Sequence, residues 1–243
     1  MLFGAALSLL VWVMWAVLAR EREPSGVMAE LARWRPGFRE GVARLFRVRD
    51  FCLLCIADVI MSGAIAAIGG HFPDILVNKG MTEGMAGVYV GMSTWSSLVG
   101  MFIGPAFSDK VGLRKIFLWP VLFINIPLVV LLGFTMALPL LIVILIFGLI
   151  GGCAGPMLRV LILENERIGP ILAGTAFGAL ATAAGIGAAV MPALMGMVMD
   201  ATGELWSGFI MIAVLGIIPA LAILPIRETG HRARAALAEA SSE

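Results

Sequence analysis

The chain has 243 residues, of which 60% are hydrophobic and 14% are charged, and its net charge at pH 7 is +1. Soluble domains are nearer half apolar and a quarter charged, so a mean hydropathy of +1.02 excludes a water-soluble surface. The small net charge provides no field that would attract nucleic acid. The composition therefore predicts a membrane protein whose main partner is the lipid bilayer, with no nucleic-acid partner.

Seven apolar stretches approach or exceed the ~20 residues that a helix needs to cross a bilayer. They cover residues 2–19, 51–77, 85–107, 116–136, 139–163, 171–199 and 207–226. None alternates with a period of two, and lipid admits only helices or closed barrels. We therefore expect an all-α polytopic fold: a transmembrane helix at 1–19, a loop at 20–50, six helices within 51–226 and a tail at 227–243. Pro73 and Pro192 are the expected kink points.

The 20–50 loop is rich in arginine and contains a short amphipathic pattern. After Pro36, apolar residues recur at Phe38, Val42, Leu45 and Phe46, which places them on one helical face. A basic helix of this kind is typical of a segment that lies on the membrane surface.

The basic residues fix the expected orientation. Of the 17 Lys and Arg, all except Lys79 fall in or next to alternate connections and the tail. The positive-inside rule assigns that side to the cytoplasm. We therefore expect a plasma-membrane protein with its N-terminus outside and its C-terminus in the cytoplasm.

Cys52 and Cys55 form a C-x-x-C, a spacing found in redox and metal sites. Here it lies inside an apolar run without a second cysteine pair, so buried helix cysteines are the preferred interpretation. The sequence also lacks a Walker loop and an H-E-x-x-H motif. We expect no metal, no cofactor and no enzymatic activity.

The connection between the third and fourth stretches resembles the loop motif of the major facilitator superfamily of transporters. The residues that carry the resemblance are Gly104, Asp109, Lys110, Gly112, Arg114 and Lys115. Arg159, Glu164 and Arg167 resemble the family's connection between helices 10 and 11. Residues 196–203 resemble its last outer loop, and residues 225–230 resemble the segment after helix 12. The resemblance covers about residues 1–230.

The resemblance implies a six-helix half-bundle preceded by one transmembrane helix, which together correspond to family helices 6–12. It also implies secondary transport of a small solute by alternating access. Helices 1–5 are absent, so the chain would need a missing N-terminal half or a second subunit as its partner. The alternative is a seven-helix membrane scaffold or sensor that transports nothing. The substrate stays open between a small anion and an amphipathic, drug-like molecule.

The loop motif has two interpretations. Asp109, Arg114 and Lys115 could form a charge cluster that holds one conformation and breaks during transport, with Gly104 in a helix crossing and Gly112 in a turn of positive φ. The plainer interpretation is a positive-inside loop with one turn glycine. Arg159 is expected to pair with Asp109 or Glu164; its alternatives are snorkelling to lipid headgroups and contact with an anionic substrate.

Two titratable residues lie within the second stretch. Asp58 is an intramembrane carboxylate, a residue type that is costly in lipid and usually functional. It could carry a proton or bind a cation, or it could lie close enough to the inner surface to be hydrated or paired. His71, near the outer end, could sense pH or be an interfacial histidine.

The orientation can be tested with a membrane-impermeant thiol reagent. A Thr202→Cys variant should label on intact cells, because its loop lies on the side poor in basic residues. A Ser242→Cys variant should label only after permeabilisation. The reverse labelling pattern would disprove the orientation.

Overall fold

The computed structural model describes residues 2–18, 37–165, 168–226, 228 and 230, and the chain divides into two units, residues 1–36 and 37–243. In the first unit, α1 (Leu2–Leu18) is an apolar helix of 17 residues. That length is at the lower limit for a membrane span, so the transmembrane role of residues 1–19 stays a prediction. Most of the basic loop, Arg167 and most of the tail lie outside the described residues.

The second unit consists of helices throughout its described part. They are α2 (Phe38–Phe46), α3 (Arg49–Asn78), α4 (Glu83–Val111), α5 (Lys115–Phe134), α6 (Ala137–Leu163), α7 (Gly169–Thr202) and α8 (Leu205–Ile223). The six helices α3 to α8 are long and apolar enough to cross a membrane. Each coincides with one of the six stretches predicted within 51–226. The prediction of an all-α integral membrane protein is confirmed.

Short connections make consecutive helices antiparallel. Residues 112–114 and 164–168 connect helices at one end of the bundle, and residues 79–82, 135–136 and 203–204 connect them at the other. The first end carries Lys110, Arg114, Lys115 and Arg159, and we call it the basic end.

Two helix pairs in the bundle meet backbone to backbone. Helix α4 packs along α6, and α3 packs along α7. A Cβ atom added at Gly100 would lie 2.9 Å from the carbonyl carbon of Leu149, and one at Gly148 would lie 2.6 Å from the carbonyl oxygen of Ser93. These contacts exist only because glycine has no side chain, which is how small residues bring membrane helices together.

The same feature appears between α3 and α7, where a Cβ atom at Gly63 would lie 2.8 Å from the carbonyl oxygen of Gly187. Other glycines of α7, including Gly174, Gly178 and Gly185, face open space. Helix α7 therefore packs closely on α3 at Gly187, whereas these three glycines leave open space beside the helix.

Helix α2 forms where the amphipathic pattern predicts a helix, but it does not lie only against lipid. Leu45 is fully buried in the core of the second unit, and a Cβ atom added at Gly41 would lie 3.5 Å from the side chain of Leu172 and 3.8 Å from that of Thr175, both in α7. Phe46 is exposed and meets Phe51 edge to face at 5.7 Å. Helix α2 therefore packs against α7, a contact that the apolar periodicity alone does not reveal.

Lys79, the basic residue that the orientation rule leaves at the opposite end, is bound to the C-terminus of α5. Its Nζ donates to the carbonyl oxygens of Leu132 at 3.0 Å, Gly133 at 2.9 Å and Thr135 at 2.9 Å. Three acceptors require three hydrogens, which only the charged ammonium carries, and a cation is stabilised at a helix C-terminus. Burial lowers the pKa of Lys79.

The backbone contact between α4 and α6 predicts a difference between two glycines of the same helix. Gly100→Ala should destabilise the chain by about 1–3 kcal/mol, because the new methyl group meets the backbone of Leu149 and cannot be relieved by a rotamer change. Gly91→Ala, where nothing lies within 4 Å, should leave stability unchanged or raise it, because alanine favours helix. Thermal unfolding in detergent measures both variants. Equal unfolding temperatures would contradict the packing argument.

Candidate functional site

The candidate site lies in the connection between α4 and α5, at the basic end. Helix α4 ends at Val111 and is capped by Gly112, whose φ of 74° is left-handed and whose N–H donates to the carbonyl of Ser108. Glycine adopts this conformation without a steric penalty, as the sequence pattern predicts. The turn places Arg114 beside the last turn of α4.

The guanidinium of Arg114 donates hydrogen bonds to three neighbouring side chains. It donates to both carboxylate oxygens of Glu164, at 3.1 and 3.4 Å, to the hydroxyl of Ser108 at 3.3 Å, and to the carboxylate of Asp109. The side chains of Arg114 and Glu164 are 13% and 17% exposed, whereas that of Asp109 is 61% exposed. Such charge-assisted bonds are among the stronger hydrogen bonds in proteins. We call Ser108, Asp109, Arg114, Glu164 and Glu228 the loop cluster.

The charge on Arg114 is fixed. Burial alone would lower its pKa, but the hydrogen bonds and charges of Glu164 and Asp109 outweigh burial and raise the pKa above its ordinary value. The guanidinium therefore stays protonated at all physiological pH values.

Glu228 completes the cluster from beyond α8. Its carboxylate accepts the backbone N–H groups of Arg114 at 2.6 Å, Lys115 at 2.9 Å and Ile116 at 3.1 Å. These are N–H groups at the start of α5, which has no side-chain cap of its own at Arg114. A carboxylate there satisfies the free N–H groups and opposes the positive end of the helix dipole.

The chain around Glu228 is fixed to the same connection. The Nζ of Lys115 donates to the carbonyl of Leu224. Gly230 has a φ of 117°, and a Cβ atom there would lie 2.5 Å from the carbonyl oxygen of Gly112. The segment after α8 therefore packs directly on the α4–α5 connection. Sequence reasoning assigned no site role to Glu228. The available signal was a helix start, Leu113–Arg114–Lys115, without a capping Ser, Thr, Asp or Asn.

The structure does not bring every predicted site residue together. Asp109, Arg114 and Glu164 meet, Lys115 binds beside them, and Lys110 is exposed at the end of α4. Gly104 instead lies in the α4–α6 contact, where an added Cβ atom would be 2.6 Å from that of Cys153. The position of Arg167 lies outside the described residues.

Arg159 is placed differently from our expectation. Asp109 and Glu164, its expected partners, are both paired with Arg114. The side chain of Arg159 is exposed on α6. Arg114 takes the central role because the left-handed turn at Gly112 directs it back toward α4 and α6.

Asp58 and His71 lie apart from the loop cluster. Asp58 is buried, with 8% of its surface exposed, and accepts a hydrogen bond from the hydroxyl of Ser62 at 3.3 Å. His71 is half-buried, and its Nε2 lies 3.0 Å from the carbonyl oxygen of Pro192 in α7. Because a carbonyl only accepts, Nε2 carries the proton and donates. His71 thus joins α3 to α7.

A cavity of about 550 Å³, which we call the central cavity, opens between α3, α4 and α6. Its polar lining consists of Ser93, Thr94 and Ser97, with the indole of Trp95 beside them, and its remaining lining is apolar. None of its lining residues is charged. The wall also includes Gly148, Gly151 and Gly152. The glycines of α6 therefore allow close helix packing and also leave space for the cavity.

The cysteines and the other carboxylates of the described part of the chain do not assemble into a metal site. Cys52, Cys55 and Cys153 are free thiols. Across the described ranges, no group of three or more His, Cys, Asp or Glu residues is placed to hold a metal ion.

The cap on α5 can be tested with matched variants. Glu228→Gln should lower the free energy of unfolding by about 1 kcal/mol, because the carboxylate that accepts three N–H groups loses its charge. Glu83→Gln, an exposed residue in the first turn of α4, should change it by less than about 0.5 kcal/mol. Limited proteolysis and thermal unfolding measure the effect. Equal stability of the two variants would contradict the capping role.

Comparison with known proteins supports the fold. No family model and no curated protein matches the sequence. The structure is similar to that of a variant of the E. coli fucose:proton symporter FucP, with a TM-score of 0.69 and 20% identity, over 79% of this chain and 46% of that chain. It is also similar to FucP in the outward conformation, described as a major facilitator superfamily transporter, with a TM-score of 0.71 and 20% identity, over 92% of this chain and 53% of that one.

The chain thus spans about half the length of the solved structures that it matches. The 20% identity in both comparisons bears on the fold alone. The chain has the fold of one half of a major facilitator superfamily transporter.

Proposed function

We propose that the chain is one half of a secondary transporter that moves a small solute by alternating access. Its partner would be an N-terminal half equivalent to family helices 1–5, or a second subunit. Two lines of support are the similarity to FucP over about half of that protein's length and the central cavity, which one half-bundle leaves open. In transporters of this kind, two halves rock about a site near the membrane midplane.

The observation that carries the proposal is the position of Arg114. Its guanidinium links the end of α4, through Asp109 and Ser108, to the end of α6, through Glu164. Glu228 links the start of α5 to the segment after α8. Helix ends that are joined in this way resist separation, so the loop cluster would favour the state in which the basic end is closed. Opening that end would break the contact of Arg114 with at least one carboxylate.

The proposal includes an orientation. The basic end would face the cytoplasm of a plasma membrane, with the N-terminus outside and the C-terminus inside. Lys79 fits this orientation because three backbone carbonyls, rather than lipid headgroups, hold its ammonium group at the outer end.

Coupling to an ion would involve Asp58, which lies buried in α3 with only 8% exposure. A carboxylate in that setting can take up and release a proton or bind a cation. His71 would contribute chiefly by holding α3 against α7. The solved neighbour is described as a proton symporter, so a pH gradient is the first driving force to apply.

Access to the central cavity provides a test that needs no knowledge of the substrate. Thr94 lines this cavity and is exposed. In a background with the three native cysteines replaced by alanine, Thr94→Cys should react with an impermeant thiol reagent from either side of vesicles that contain both halves. Adding Asp109→Asn should raise its labelling from the cytoplasmic side about two- to fivefold, because it weakens an ion pair whose carboxylate is 61% exposed and which therefore contributes about 0.5–1 kcal/mol.

The matched control is Asp200→Asn, a substitution at an exposed position of α7. It should not alter the ratio of cytoplasmic-side to outer-side labelling of Thr94→Cys. Membrane insertion should be normal in all variants, because Asp109 is 61% exposed. Labelling of Thr94→Cys from one side only would favour the scaffold or sensor alternative. An unchanged ratio in Asp109→Asn would refute the role of the loop cluster.

A further inference from the structure

A half-buried asparagine in the middle of α5 has a buried side-chain carbonyl oxygen without a partner. Among the described residues, none donates to the Oδ1 of Asn125, although this atom is buried. The Nδ2 group reaches the carbonyl of Val121 only at 3.5 Å, the outer limit of a hydrogen bond. Burying a polar atom without a partner costs stability, and membrane helices rarely place one at mid-length without a use.

Asn125 lines a second, partly open cavity of about 80 Å³. We call it the inner cavity. Its wall comes from α3, α5, α6 and α8, and Asn125 is the only polar side chain among the lining residues. The apolar remainder includes Met61, Leu122, Ala154 and Ile212. This volume is smaller than that of an apolar cavity of roughly 150 Å³ that binds benzene, so the inner cavity by itself holds only one end of an aromatic molecule.

The inner cavity adjoins the central cavity. Ile65, Ile68, Phe147 and Gly151 line both of them. Gly151 lies at the boundary, and a Cβ atom added there would be 3.8 Å from both the Oδ1 and the Nδ2 of Asn125. A molecule in the central cavity could therefore extend one end past Gly151 toward the amide.

The lining determines the chemistry of the occupant. None of the residues that line either cavity is charged, and an ion moved into such surroundings loses its hydration without gaining a counter-charge. A hydroxyl group, in contrast, can donate to the free Oδ1 while its apolar body meets the isoleucines. Of the two substrate classes that the sequence leaves open, the structure disfavours the anion.

We propose that Asn125 is the polar anchor of a ligand site formed by the inner and central cavities, which takes an uncharged, largely apolar molecule with a hydroxyl group. That this ligand is the transported substrate rests on the proposed function, whereas its binding does not. Asn125 belongs to none of the residue groups that sequence patterns single out. It determines specificity by accepting the hydroxyl hydrogen inside an otherwise apolar wall.

Binding can be measured on the full chain in detergent, without a partner half. Two probes of similar shape, para-fluorophenol and para-fluorotoluene, differ in whether they carry a hydroxyl group, and fluorine NMR follows both. We expect the wild-type chain to bind the phenol about five- to tenfold more tightly than the toluene, the ratio that one neutral hydrogen bond provides. In Asn125→Leu this preference should disappear.

Two further variants separate the ligand role from a structural one. Gly151→Val keeps the amide but fills the space beside it, so it should weaken binding of both probes. Thr182→Val removes a hydroxyl that bonds to the carbonyl of Gly178 in α7, away from both cavities, and should keep the wild-type preference. Asn125→Leu should also unfold at a higher temperature than wild type, because it removes an unpartnered polar atom and fills the cavity.

The proposal is overturned if the wild-type chain shows no preference for the phenol, or if Asn125→Leu retains the preference. It is also overturned if Asn125→Leu unfolds at a lower temperature than wild type, since the amide would then be a structural group satisfied by water. None of these measurements depends on transport, so one-sided labelling of Thr94→Cys would refute the transporter and leave the ligand site standing.

Discussion

Lipid offers no hydrogen bonds, and this constraint governs the whole second unit. Helices satisfy their backbone groups internally except at their ends, so polar chemistry concentrates there. Helix α5 is the clearest case, because remote charged side chains cap both of its ends: Glu228 holds three N–H groups at its start, and Lys79 holds three carbonyls at its finish. Both caps oppose the helix dipole, and they fix α5 to the segment after α8 and to the end of α3.

The loop cluster applies the same principle to side chains. Arg114 is largely buried, so its charge is maintained by the carboxylates it contacts rather than by water. Of these, Glu164 is nearly as buried as Arg114, whereas Asp109 faces the exterior. The contact with Asp109 can therefore be exchanged for water at low cost, while the contact with Glu164 cannot. This inequality makes Asp109 the part of the cluster that can open first.

The sequence determines the helices well and their partners poorly. The lengths of the apolar stretches were enough to locate all six membrane-spanning helices of the second unit, because crossing lipid requires a minimum number of residues. The turn at Gly112 was also predictable, since its conformation is local. Two features depend on residues 50 or more positions apart, namely the pairing of Arg114 with Glu164 and the cap by Glu228. The unpartnered amide oxygen of Asn125 depends on the shape of a cavity. No periodicity encodes them, and Arg159 was consequently expected in a place that Arg114 occupies.

The glycine contacts have a mechanical consequence. Where backbone lies on backbone, as between α4 and α6 and between α3 and α7, no flexible side chains lie between the helices at the crossing to absorb sliding. The two helices of each pair should therefore move together as one rigid unit. Helices α5 and α8 meet instead through larger side chains, such as Phe134 stacked on Trp206 at 5.7 Å, which rotamer changes can accommodate. Elastic deformation of the bundle should therefore concentrate at the interfaces that α5 and α8 make with their neighbours. The α4–α6 pair and the α3–α7 pair should then tilt as rigid units.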